Sequence, residues 1–472
     1  MKRVALSLGL VLITIIIATP AFGGRKKPLY LLFWRGPEQV PALIKSIGTK
    51  GDSYHLLGFG LPCSTFEQEK QVPAQIRFAF AAALKYNAAV MLHFDFHVAW
   101  QNRPDLWNWF DPSKPGYNPA NKDNVEWFGW DGPPAKVRYL NWGIPQRMAP
   151  PMCYTSKRIR KEWARLVREV IAPTLRKEIA ALKKQGKERL FAGVLVGSEP
   201  MFDNYTQTDP DTEKMIKADG APMGRLGYRS LMDRGFSKTH LPKRMPEALG
   251  AIIQESVGFW CRLFVDAGIP AAKLYPHVVP QLPAEVTHTS ITAAFNQWSR
   301  PGWTTYPVGV LANGFEPLYR ELKKHGNPNW AGVEANTGMP GGSVDWETYL
   351  GWHYNHGGVI VAINTGATGT ELPDRLEKSA FSPEAITAYR KFLRGEKLKE
   401  TPADNRPEAR LRRKMKTLQA GFKTWQSNGR DPSQIAQMVT ERLQPLLQAG
   451  KISEAEAVID DAIKRLGAKA KQ

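Results

Sequence analysis

Residues 191–200, Phe-Ala-Gly-Val-Leu-Val-Gly-Ser-Glu-Pro, run from a short apolar segment into a carboxylate. Residues 330–338, Trp-Ala-Gly-Val-Glu-Ala-Asn-Thr-Gly, do the same. Each stretch places a glutamate, Glu199 or Glu334, where a buried strand hands over to a loop. A carboxylate there adds little to a core and is well placed to meet a ligand. Two of them in like settings, far apart in sequence, point to paired acid/base or nucleophilic work on one substrate.

Outward from these two stretches, the chain alternates apolar runs with amphipathic ones. Strand-like runs occupy 29–34, 54–60, 88–97, 190–197, 273–279, 305–312, 330–335 and 357–364. Helix-like stretches fall at 39–47, 72–86, 156–184, 246–267, 316–325, 346–355 and 383–393. Near-continuous apolar strands separated by helices indicate a parallel sheet covered by those helices. Eight repeats match a (β/α)8 TIM barrel, which puts Glu199 at the end of strand four and Glu334 at the end of strand seven. Ser156 and the Ser382-Pro383-Glu384 run supply helix starts, and Gly268 a helix stop. An open doubly wound sheet would carry a glycine-rich phosphate turn after its first strand, and Phe33-Trp34-Arg35-Gly36-Pro37 is no such turn.

The inserts flanking the fourth strand are long. Residues 98–142 hold six of the fifteen tryptophans, a content that disfavours disorder and predicts a folded, functional loop region. After residue 394 the composition changes to a basic stretch and two amphipathic segments, 433–447 and 454–466. The expected organisation is a signal peptide over 1–23, a barrel over 28–394 and a helical extension over 395–472.

The signal is read from Lys2 and Arg3, an apolar core over residues 6–18, and small residues near Ala21 and Gly23. That core is shorter than the ~20 residues of a spanning helix, so the expectation is a secreted or periplasmic protein without stable membrane insertion. The net charge is +20, and +18 without Lys2 and Arg3. Such a balance favours acidic partners, although many of the bases sit on apparent helix faces. No nucleic-acid motif accompanies the charge, so no nucleic-acid partner is expected. Cys63, Cys153 and Cys261 fit no metal-ligand spacing and leave room for at most one disulfide. No serine-nucleophile elbow, phosphate loop or dinucleotide fingerprint occurs.

With Glu199 after strand four and Glu334 on strand seven, the chain resembles the clan of (β/α)8-barrel retaining β-glycoside hydrolases. The resemblance covers the barrel as an architecture and the two short motifs as residues. It implies that Glu334 acts as nucleophile and Glu199 as acid/base on a carbohydrate, with no cofactor and no metal. Clan members carry asparagine immediately before the acid/base, where it contacts the sugar 2-hydroxyl; here Ser198 stands there, which leaves that contact in doubt.

Other strand-end residues are candidates for binding. Arg35 is placed to hold Glu334 ionised by a bidentate contact. His277, Tyr306 and Asn364 are placed to bind sugar hydroxyls or orient a carboxylate, and Trp142 to stack on a sugar face. In His93-Phe94-Asp95-Phe96-His97 the period of two puts His93, Asp95 and His97 on one strand face. Asp95 and His97 read as sugar ligands, with His93 deeper; a metal-dependent hydrolase using all three is the alternative. A barrel that binds carbohydrate without cleaving it is the other alternative.

Overall fold

The computed structural model describes residues 27–64, 69–96, 98–141, 144–206, 208–280, 291–342, 344–366, 371–399 and most of 411–468. The expected signal peptide, His97 and Trp142 lie outside the described residues.

Eight parallel strands form the barrel: β1 Leu29–Trp34, β2 His55–Ser64, β3 Ala89–Asp95, β4 Phe191–Val196, β5 Leu274–Pro276, β6 Gly302–Thr304, β7 Trp330–Ala335 and β8 Gly358–Ile363. Their hydrogen-bonded order is β5-β4-β3-β2-β1-β8-β7-β6. The seam between β5 and β6 is closed by one parallel bridge between Val278 and Trp303. There the Thr304 N–H donates to the Val278 carbonyl at 2.8 Å, and the Val278 N–H to Gly302 at 3.4 Å. Helices cover the outside: α1 Val40–Ile47, α2 Val72–Tyr86, α3 Lys157–Lys184, α4 Met245–Asp266, α5 Glu316–Lys324, α6 Trp346–Tyr354, α7 Glu371–Ala380 and α8 Pro383–Leu393. This is a (β/α)8 barrel.

Two readings change. The segment 305–312 is no strand: β6 ends at Thr304, and a 3-10 turn at Gly309–Leu311 follows. A three-residue strand is too short to show a period-two pattern, and the apolar run beside it drew the assignment. The 156–184 helix is likewise interrupted by a π turn at Leu166–Ile171. Ser156 and Ser382 cap α3 and α8 through their hydroxyls as expected, accepting from Ile159 N–H at 3.3 Å and Ala385 N–H at 3.1 Å.

The core runs continuously through the barrel and its helices. Along β3, Phe94 and Phe96 point outward against Phe264, Trp163 and Trp260, which turns His93 and Asp95 toward the lumen. Helix α4 is long and apolar enough to cross a membrane, but its Leu249, Ile253, Trp260 and Phe264 are buried against the barrel. The two inserts share a small core of Tyr139, Tyr205, Ile216 and Leu226. The C-terminal helices Ser433–Gln448 and Ile452–Ala468 bury a cluster of their own around Leu443, Ile459 and Leu466. Cys63, Cys153 and Cys261 are all free and buried, so none of them forms the disulfide the sequence left open.

Candidate active site

The turn after β4 is shaped by Gly197, whose φ is +76°. A Cβ there would meet the Trp260 ring at 2.4 Å, so only glycine fits. Ser198 is buried, and Glu199 adopts φ +35°, an uncommon conformation for a residue with a side chain. Strain of this kind persists only where the surroundings fix it. Here they do: Tyr154 Oη bonds Met201, and the buried ion pair of Arg138 with Asp203 (2.9 Å) ties the turn to the preceding insert. Behind it, His93 Nε2 donates to the Gly197 carbonyl at 2.7 Å.

Glu334, on the last turn-in of β7, sits in a set of donors. Asn364 Nδ2 donates to Oε1 at 2.7 Å, Thr304 Oγ1 to Oε2 at 3.1 Å, and His277 Nε2 lies 3.3 Å from Oε2. Asn364 Nδ2 also reaches Tyr306 Oη at 2.7 Å, and the Tyr306 hydroxyl contacts Glu334. The Glu199 carboxyl makes no hydrogen bond among the described residues; His277 Nε2 lies 3.9 Å away. One oxygen of each glutamate and one His277 ring nitrogen all lie within 4.8 Å of one another.

These surroundings drive the two carboxyls apart. Burial, then the charge of Glu334, raises Glu199 to about 7. Burial would also raise Glu334, but the hydrogen bond and charge of His277, with hydrogen bonds from Tyr306 and Thr304, outweigh it and hold Glu334 below its usual value. Burial alone would lower His277; the hydrogen bond and charge of Glu334, then Glu199 and Asp95, raise it instead. Below about pH 7 these shifts favour an ionised Glu334 beside a protonated Glu199, the division of labour that acid/base pairs use.

The sequence-derived candidates fall into three groups. Glu199, Glu334, His277, Tyr306 and Asn364 come together. Asp95 faces the same lumen and acts on His277 and Glu199 through its charge. Arg35 does not hold Glu334: its guanidinium pairs with Glu377 at 2.6 Å and lies over the Phe381 ring. Histidine and neutral donors replace the arginine at Glu334. Of the strand triad, His97 lies outside the described residues, and His93 Nε2 is committed to the Gly197 carbonyl rather than turned to Asp95 as a ligand. Among the described residues, the acidic and histidine group close enough to share a cation is Glu199, His277 and Glu334. The carboxylates around His277 raise its pKa, so a proton on that ring and a cation compete for the same place.

Sequence reasoning missed Thr304, Arg138, Asp203 and Asn336. Buried Asn336 bonds the Asn364 and Leu376 carbonyls at 2.7 and 2.9 Å and fixes the loop that carries Asn364. The insert tryptophans are partly committed to the fold. Trp107, Trp109 and Trp127 donate their indole N–H groups to the carbonyls of Trp100, Ala135 and Lys122.

No family model and no curated protein matches the chain. Among solved structures it is similar to the β-mannanase of the blue mussel Mytilus edulis, at 11% identity over 74% of this chain and 85% of that one, with TM-score 0.32. It is also similar to a glycoside hydrolase family 5 enzyme of Prevotella bryantii, at 8% identity, 76% and 86% coverage and TM-score 0.35. A chitobiase of Flavobacterium johnsoniae aligns at 10% identity, 78% and 48% coverage and TM-score 0.37. These structural neighbours are glycoside hydrolases.

Proposed function

We propose that the protein is an exported retaining glycoside hydrolase acting on a polysaccharide or oligosaccharide. The observation that carries the reading is the proximity of the two carboxyls at the strand C-terminal mouth, one oxygen of each within 4.8 Å, in surroundings that push Glu199 up to about 7 and hold Glu334 below its usual value. Retaining enzymes hold their carboxyls about 5–5.5 Å apart, whereas inverting ones leave about 6.5–9.5 Å for a water. An oxygen of each carboxyl within 4.8 Å of the other supports the retaining reading.

In this reaction the Glu334 carboxylate attacks the anomeric carbon as the glycosidic C–O bond breaks. Glu199 gives its proton to the leaving oxygen, and a glycosyl ester forms on Glu334. Glu199, now ionised, takes a proton from water, whose oxygen displaces Glu334 from the anomeric carbon. His277, Thr304, Tyr306 and Asn364 hold the nucleophile ionised between turnovers. As charge leaves Glu334 during attack, its hold on the Glu199 proton weakens, and protonation of the leaving group follows the same electrostatic path.

The test is a glycan panel with Glu199→Gln and Glu334→Gln. Each should lower turnover by about 10²–10⁴-fold or more while the fold and glycan binding persist. Full activity in both variants would remove the assignment. Unchanged glycan binding by a wild type that cleaves nothing would favour the non-catalytic carbohydrate-binding barrel.

A further inference from the structure

On the outer wall of the barrel, α4 and the segment before β6 enclose a cavity of about 390 Å3 lined by Phe259, Arg262, Asn296 and Trp298. It continues into a second, of about 560 Å3, through the shared residues Phe295 and Asn296. The second is lined by Ala272, Arg300 and Pro328, which immediately precede β5, β6 and β7. That is the strand N-terminal end of the barrel, opposite the mouth that holds Glu199 and Glu334.

The first cavity is a built surface. Gly258, inside α4, lets the Trp298 ring lie on the helix; a Cβ there would come within 3.3 Å of that ring. The Arg262 guanidinium lies over Phe259 at 5.6 Å and over Trp298 at 5.8 Å, while Arg160 lies over Phe259 at 4.9 Å. Stacking fixes a guanidinium plane and leaves its N–H edge outward. Arg262 meets one acid, Asp266, at 3.9 Å, and no hydrogen bond or ion pair among the described residues engages the Arg300 guanidinium. The one acidic lining residue, Glu255, is already shared by Arg160 and Arg234. The groove therefore presents the Arg300 fork without a carboxylate and the Arg262 fork against a single acid at 3.9 Å, beside the carboxamides of Asn296 and Gln297.

We propose that this groove is a second binding site, for a carboxylated glycan of the polyuronate class, separate from the catalytic mouth. Arginine forks match carboxylates bidentately, and carboxamides suit sugar hydroxyls. Single-stranded nucleic acid would need open aromatic faces to stack on, and here guanidinium groups cover those faces. The site would hold an acidic polymer against the protein while another part of it reaches Glu199 and Glu334, raising the local concentration of substrate.

The test is retention of the full chain on polygalacturonate, on a neutral polysaccharide, on single-stranded DNA and on anionic vesicles, at low and at physiological salt. Expected are preferential retention on polygalacturonate, weakened about tenfold or more by Arg262→Gln with Arg300→Gln, and unchanged thermal stability and turnover of a short soluble substrate. Arg262→Lys, which keeps the charge and removes the fork, should weaken retention as well. Equal retention by the double variant overturns the proposal, as does retention on DNA, vesicles or neutral polymer equal to that on the polyuronate. The readout is binding, so a wild type that hydrolyses no glycoside would remove the catalytic reading and leave this one standing or falling on retention alone.

Discussion

Asn364 Nδ2, one residue beyond β8, donates to Glu334 Oε1 at 2.7 Å, and its backbone N–H holds the Ala335 carbonyl at 2.9 Å. One residue thereby fixes both the Glu334 side chain and the backbone next to it. Asn364→Ala removes a hydrogen bond to a charged group, a change of roughly 1.5–3 kcal/mol. Turnover should fall about tenfold to a hundredfold, and the acid limb of the pH–rate profile should move to higher pH. Kinetics as a function of pH read both effects; a slower variant with an unmoved acid limb would assign Asn364 to packing.

The alkaline limb belongs to Glu199. Its proton is lost near pH 7, so kcat/KM should fall as pH rises through that value. Glu199→Gln cannot lose that proton, and whatever residual activity it shows on a substrate with a good leaving group should lack the limb. Persistence of the limb in that variant would mean that another group, His277 first among them, controls it.

Gly197 is placed between a left-handed backbone and the Trp260 ring. Gly197→Ala should destabilise the fold by about 1–3 kcal/mol and cost more activity than stability, because Glu199 follows two residues later. Thermal unfolding together with turnover distinguishes this from an unfolded preparation. Arg138→Ala should destabilise by about 3–5 kcal/mol, since it leaves Asp203 buried without its partner.

Outside the mouth, Glu126 is buried and accepts from the Ser230 hydroxyl and N–H, joining the two inserts. Burial raises it to about 7, against hydrogen bonds from Ser230 and Cys153. The folded protein therefore binds this proton more tightly than the unfolded chain does. Stability from this group is full below pH 4.5, its ordinary value, and is lost as pH rises through about 7. Glu126→Gln should flatten that decline in thermal unfolding curves; an unchanged slope would assign the pH dependence elsewhere.

Chelation separates the proton-sharing reading of Glu199, His277 and Glu334 from a metal-sharing one. Activity should survive dialysis against a chelator unchanged. Loss of activity restored by a divalent cation would place a metal among these three side chains.

Much of the barrel was legible in the sequence because its strands are buried on both faces and read as apolar runs. The readings for β1 and β7 coincide with Leu29–Trp34 and Trp330–Ala335. Strand β6 was not legible, since three residues ending in Thr304 carry no periodicity, and with it went Thr304 as a ligand of Glu334. The glutamates stood out because a carboxylate ending an apolar run is rare chemistry for a core. Their electrostatic partner was legible in part: His277 was read as placed to orient a carboxylate, but residue type favoured Arg35 for the charge on Glu334, and the directions of the side chains send Arg35 to Glu377. Arg138 and Asp203, 65 residues apart, meet only through the folding of the inserts, which no local pattern announces.

The central claim is a double displacement at Glu334 assisted by Glu199. On the glycoside that the panel identifies, proton NMR of the first product formed reads the anomeric configuration before mutarotation. The expected product has the same configuration as the substrate. An inverted product, or a panel in which the wild type cleaves no glycoside, would contradict it.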